Sequence, residues 1–211
     1  MDLLAGLRDK LRFIERHYVA ASTPFREIKR KIEEHEEPFE WQPFDPETYN
    51  CDEPPFSAEW SEATESLNIE GQAALKLVHS ALHEYLTSFI DLNRVPLTAK
   101  GKNWLERYKK HFLDVYGIDF KKAPVPLEDL EEVNLARNDV EHSGQPFGMT
   151  RRQSKEQALR FPDGLFVDDI DRDMARASPG TWPGRIVVTD AGLAEAIRRV
   201  ETFCKFIDEQ S

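Results

Sequence analysis

Three side chains that handle phosphate chemistry fall within two helical turns of one another near the middle of the second half of the chain. They are Arg137, Asn138 and His142, inside the stretch PLEDLEEVNLARNDVEHSG from Pro126 to Gly144. Leu130, Val133 and Val140 stand at i, i+3 and i+10, one stripe at the helical period, and Arg137 at i+7 interrupts that stripe with a cation. A guanidinium on a core-facing row is costly to bury unless an anion meets it. Asn138 and His142, four residues apart, share the neighbouring face, so guanidinium, carboxamide and imidazole can converge on one pocket. Such a set can do phosphoryl chemistry without a metal. His142 takes or gives a proton, Arg137 stabilises charge gathering on the phosphate, and Asn138 positions the phosphate or holds the imidazole.

The string Arg-Asn-x3-His at the end of a late helix is preceded by an apolar helix and followed by a loop and one more amphipathic helix. In these features the chain resembles the HEPN superfamily over roughly residues 67 to 208. Its R-x4–6-H signature marks metal-independent ribonucleases built on a helical bundle. The resemblance implies an endoribonuclease whose RNA is its own nucleophile and leaves a 2′,3′-cyclic phosphate, in a toxin or antiphage defence module. It also implies a homodimer with the two motifs facing each other in a composite site, a possible antitoxin or defence partner protein, and no cofactor. It further points to Glu84, on the preceding helix, as the acidic residue that faces and orients Arg137. The subgroup that reads R-x4-H-x-Y is not matched, since position 144 is Gly, so nucleotide transfer to a Tyr there is not implied. Two other readings stay open: a non-catalytic HEPN-like module that binds a nucleotide or partner in the same pocket, and a purely structural bundle.

The elements that must position these residues are mostly helical. Leu4, Leu7, Leu11, Ile14 and Tyr18 predict a first amphipathic helix that Ser22-Thr23-Pro24 ends, and Phe25, Ile28 and Ile32 a shorter second one. From Glu37 to Ser66 the period disappears among five prolines and six large aromatics, which predicts an extended segment pinned by its rings. Leu67 to Asn93 predicts the central helix, with Val78, Leu82, Tyr85, Phe89 and Leu92 as its seam, and Trp104 to Tyr116 the next, stopped by Gly117. Pro126 opens the motif helix, whose C-terminal dipole favours a protonated His142. Thr189 caps a last helix reaching Ile207. Between Gly144 and Thr189 the text is loop-like, apart from Leu165 to Asp168 and Arg185 to Val188, which predict a small β-hairpin. The fold class is therefore mainly α. A HEPN-like helical bundle over 67–211 follows an N-terminal region, 1–66, of helices and an acidic, Pro- and aromatic-rich segment.

The net charge of −11 argues against nucleic-acid binding until its distribution is examined. Glu33 to Glu70 holds thirteen acidic residues and no Lys or Arg, which leaves 28 basic against 26 acidic residues elsewhere. Charge of that density is suited to cover a basic RNA path, or to keep off non-target nucleic acid. Lys109, Lys110, Lys121 and Lys122 make one end of the bundle basic, and Arg151, Arg152 and Lys155, with Arg160, follow the motif as RNA-backbone contacts or as a solvated loop. His79 and His83, four apart, have no third ligand at helical spacing, so they are read as structural and no metal site is expected. Cys51 and Cys204 lack metal or redox spacing and are expected to be free thiols. No apolar run spans a membrane, and the charged start lacks a signal sequence, giving a soluble, cytoplasmic expectation. Leu86, Ile90 and Trp104 exceed what one small seam needs, and are expected at the dimer interface.

Overall fold

The computed structural model describes residues 2–40, 54–101, 103–142, 161, 164–167, 169–177 and 186–210; the side chains of His142, Asp171 and Ala175 are not among the described parts. Six α-helices appear there: α1 (Leu3–Glu33), α2 (Ser57–Leu92), α3 (Trp104–Tyr116), α4 (Leu127–His142), α5 (Asp169–Ala177) and α6 (Asp190–Glu209), with a 3-10 turn at Phe120–Lys122. The chain is thus mainly helical, and no described helix is long and apolar enough to cross a membrane.

The first two predicted helices are one. Asp2 caps α1 through Ala5 N–H at 2.9 Å, and the helix runs on through Pro24 to Glu33. A proline inside a helix removes one backbone bond and crowds the preceding turn. Here the hydroxyls of Ser22 and Thr23 bond back to the carbonyls of Tyr18 and Val19, each at 2.6 Å, in the turn that the ring disturbs. Packing of α1 along α2 on both sides of Pro24 holds the helix together, with Leu4, Leu11, Ile14, Tyr18 and Ile32 buried.

The central helix likewise starts ten residues earlier than its period suggests, at Ser57, after Phe56 in a left-handed conformation (φ 61°). Position 66 therefore lies inside α2, and α1 and α2 share one apolar core with α4 and α6. The expected pinning by rings is visible at the ends of the acidic segment. Phe39 meets Phe56 edge-on at 5.2 Å, while Trp60 donates its indole N–H to Glu33 and lies under Lys29. The remainder of that segment, 41–53 with Cys51, is outside the described residues.

Val78, Leu82, Tyr85 and Phe89 form the buried seam of α2, whereas Leu92 is exposed. A ladder of rings, Phe89 to Phe112 to Phe120 to Phe203, ties α2, α3, the 3-10 turn and α6 together at centroid separations of 5.2, 5.1 and 4.8 Å. Asn103 caps α3, Gly117 (φ 70°) ends it, and Thr189 caps α6 by accepting from Gly192 N–H at 3.0 Å. Leu86 and Ile90 are buried inside this core, which removes them from any dimer surface; Trp104 packs against it partly buried. Cys204 is a free thiol on the core side of α6, its pKa pushed up by burial.

The predicted β-hairpin is not a strand pair among the described residues. Val187 N–H donates to Phe166 O at 3.0 Å, but the ladder goes no further there, and Asp168 and Arg185 lie outside the described residues. The carbonyl of Val188 is taken instead by the Tyr18 hydroxyl at 3.2 Å, and Phe166, Ile186 and Val188 are buried in the helical core. The supposed loop before it also contains α5, whose Ile170 and Met174 are exposed. Two apolar residues make too narrow a stripe for a helical period to register.

Candidate functional site

The expected motif helix forms, with Glu128 and Asp129 in its first turn and Leu130 and Val133 fully buried. Arg137 continues their stripe but keeps 30 % of its side chain accessible, so the cation sits at the edge of the core. Its Nη1 donates to Asn138 Oδ1 at 2.9 Å and reaches Glu141 Oε2, one turn on, at 2.7 Å. Arg137 and Asn138 are thus brought together as expected, with Glu141 as an added anionic tether. His142 is the last residue of α4, and its imidazole lies outside the described side chains. Arg151, Arg152 and Lys155 also lie outside the described residues.

Glu84 does not face Arg137. It pairs with Lys10 of α1 and lines a groove with Gly6, Ala81 and Ser88, on the side of α2 turned toward α1. Successive helical residues are rotated by about 100°, and the row of α2 that meets α4 is the one through His79 and His83. Both imidazoles feel the Arg137 charge, and the Asn134 carboxamide of α4 lies beside His79.

The two histidines stand in an aromatic cage. Their rings stack at 6.4 Å; Trp104 of α3 meets His79 edge-on at 5.2 Å and His83 at 6.1 Å, and Tyr108 lies edge-on to His83 at 5.9 Å. The Tyr108 hydroxyl is 3.4 Å from His83 Nε2 and 3.1 Å from Thr87 Oγ1. His79 is 8 % exposed, and neither its Nε2 nor the Trp104 indole N–H, both buried, has a hydrogen-bond partner among the described residues. Burial first, then the Arg137 and His83 charges, press the His79 pKa down to about 4. His83 is exposed at the mouth of the cage, and its pKa is lowered too, by desolvation and then by Arg137. Both rings are therefore neutral at pH 7, although they lie beside a guanidinium.

The sequence signal for this arrangement was present. The i, i+4 pair His79 and His83 faces a second i, i+4 pair, Trp104 and Tyr108, whereas the sequence reading takes the two histidines as structural. Among the described residues no group of three or more His, Cys, Asp or Glu is disposed to hold a metal ion. In comparisons with known proteins, no family model matches the chain, and no curated protein or solved structure is significantly similar to it.

Proposed function

We propose that this chain is a metal-independent endoribonuclease of the HEPN type, acting on RNA as a homodimer in a toxin or antiphage defence module. One observation carries the reading. Arg137, on the core stripe of α4, is held at the protein surface by Asn138 and Glu141 with its side chain still partly accessible, one turn before His142 ends the helix. A phosphodiester approaching that end meets a guanidinium able to stabilise the charge of a pentacoordinate phosphorus. The adjacent ribose 2′-hydroxyl attacks phosphorus, the 5′-oxygen leaves, and the products are a 2′,3′-cyclic phosphate and a 5′-hydroxyl. His142, at a helix C-terminus that favours its charged form, is suited to protonate the leaving oxygen.

The test is cleavage of total cellular RNA by the purified protein in excess EDTA, with Arg137→Ala and His142→Ala alongside. The expected result is 2′,3′-cyclic ends from the parent and a loss of 100-fold or more in each folded variant, the order found when an acid–base group is removed. Intact RNA with the parent, or undiminished cleavage by His142→Ala, overturns the proposal. A second reading, a non-catalytic pocket for a nucleotide or partner, is favoured by one feature: Glu141 already neutralises Arg137. It predicts nucleotide binding with no cleavage.

A further inference from the structure

Cleavage of RNA by its own 2′-hydroxyl moves two protons, one off the attacking oxygen and one onto the leaving oxygen, and His142 accounts for one of them. Among the described residues a second histidine, His83, stands within reach of the Arg137 charge. His83 is exposed at the mouth of the cage that Trp104 and Tyr108 form, on the row of α2 that meets α4. The Tyr108 hydroxyl, itself 3.1 Å from Thr87 Oγ1, lies 3.4 Å from Nε2 and fixes the ring. No hydrogen bond of the other ring nitrogen is found among the described residues, and the residue as a whole is exposed. Behind it His79 is more than nine-tenths buried, and neither its Nε2 nor the neighbouring Trp104 indole N–H has a partner among the described residues. Two buried polar atoms without partners among the described residues are costly in a merely structural core.

We propose, resting on the ribonuclease reading, that His83 is a catalytic residue, the general base that takes the 2′-hydroxyl proton of the RNA, with Tyr108 as its positioning residue. The step balances within the site. His83 accepts the proton from O2′ as the O2′–phosphorus bond forms, the phosphorus–O5′ bond breaks, and O5′ takes its proton from His142; water then carries the proton from His83 back to His142. A base must be neutral before the step, and the groups facing His83 keep it so. These are Arg137 from α4, Trp104 and Tyr108 from α3, and neutral His79 on α2, with the Glu141 carboxylate acting on His79. The two histidines thus divide the work, a base in the cage and an acid at the helix end.

The test uses the full chain with two substrates, an oligoribonucleotide and uridine 3′-(4-nitrophenyl phosphate), whose leaving group needs no proton. His83→Gln, which preserves bulk and a hydrogen-bonding group beside Tyr108, is expected to lose at least about 100-fold on both substrates. His142→Ala is expected to lose as much on the oligonucleotide and to recover most of that loss on the nitrophenyl ester. The parent's acid limb in kcat/KM, which reports the base, is expected to vanish in His83→Gln. Parent-like cleavage by a folded His83→Gln, or recovery of that variant on the nitrophenyl ester, overturns the assignment and leaves the ribonuclease reading standing. A parent that cleaves neither substrate overturns both.

Discussion

Arg137 and Glu141 meet across one turn of α4 at 2.7 Å, each with about a third of its side chain accessible, so the cation proposed to bind phosphate is neutralised by its own helix. An exposed i, i+4 pair is worth only about 0.3–0.5 kcal/mol. Glu141→Gln should leave stability within about 0.5 kcal/mol of the parent. A carboxylate at that range costs an incoming anion about 1 kcal/mol in a water-like medium, so the same variant should bind inorganic phosphate roughly five-fold more tightly. Phosphate titration followed by NMR checks this. An unchanged dissociation constant would mean that Arg137 is not the group that meets the anion.

The buried His79 predicts an acid sensitivity whose sign is fixed. Its folded pKa, about 4, lies below the unfolded value of about 6.5, so protons bind the unfolded chain first. The stability that neutral His79 contributes is complete above pH 6.5 and is lost as pH falls from there through 4, amounting to about 2 kcal/mol between pH 7 and pH 5. His79→Gln should therefore lower stability at pH 7 yet flatten its decline toward pH 5. Urea unfolding of parent and variant at the two pH values measures the difference, and equal slopes would mean that His79 is not held neutral by its surroundings.

Gly71 of α2 faces the stretch that the hairpin was expected to occupy. A Cβ there would lie 2.7 Å from Val188 Cβ and 3.0 Å from Val188 O. Alanine in a helix interior gains about 1 kcal/mol over glycine, while overpacking of this kind costs about 1–3 kcal/mol. The clash should win. Gly71→Ala should be destabilised by up to about 2 kcal/mol, as read by urea unfolding. A stabilised Gly71→Ala would show that residues 186–188 do not press on α2.

These close contacts mark how far the sequence could be read. The stripe of Leu130 and Val133 with Arg137 on it, the cap at Thr189 and the stop at Gly117 were legible because each rests on residues within one or two turns. Pro24 misled because its local cost is overridden by packing on either side of it. The start of α2 was hidden because Phe56 and Trp60 belong in composition to the aromatic segment before them. Glu84 was expected to face Arg137, and the adjacent residue His83 lies on the row that does. A helix with buried residues as close together as Val78, Ala81, Leu82, Tyr85 and Leu86 does not reveal which of its remaining faces meets α1 and which meets α4. Only the contacts of Lys10 and Arg137 decide it.

The last prediction concerns what holds α4 in place. Arg199 of α6 bridges Asp129 at 2.6 Å and Glu195 at 2.7 Å, with Arg199 and Asp129 each about one-fifth exposed. The two carboxylates respond oppositely. Hydrogen bonds from Arg198 and Arg199 hold Glu195 down at about 2, so its stabilisation is present above its ordinary value of 4.5 and is lost as pH falls through 2. Burial raises Asp129 above its ordinary value in spite of Arg199, so ionised Asp129 opposes folding and is relieved as pH falls through its folded pKa. The pair therefore fixes the register of α4 on α6 more than it adds stability, and what it cannot tolerate is the loss of the cation alone. Arg199→Met should cost about 2 kcal/mol, because Asp129 is left partly buried with its charge uncompensated. Asp129→Asn should cost less, and the double variant should lie above Arg199→Met in stability, with a coupling of about 1 kcal/mol by urea unfolding. If the two costs simply add, the bridge does not act as a unit.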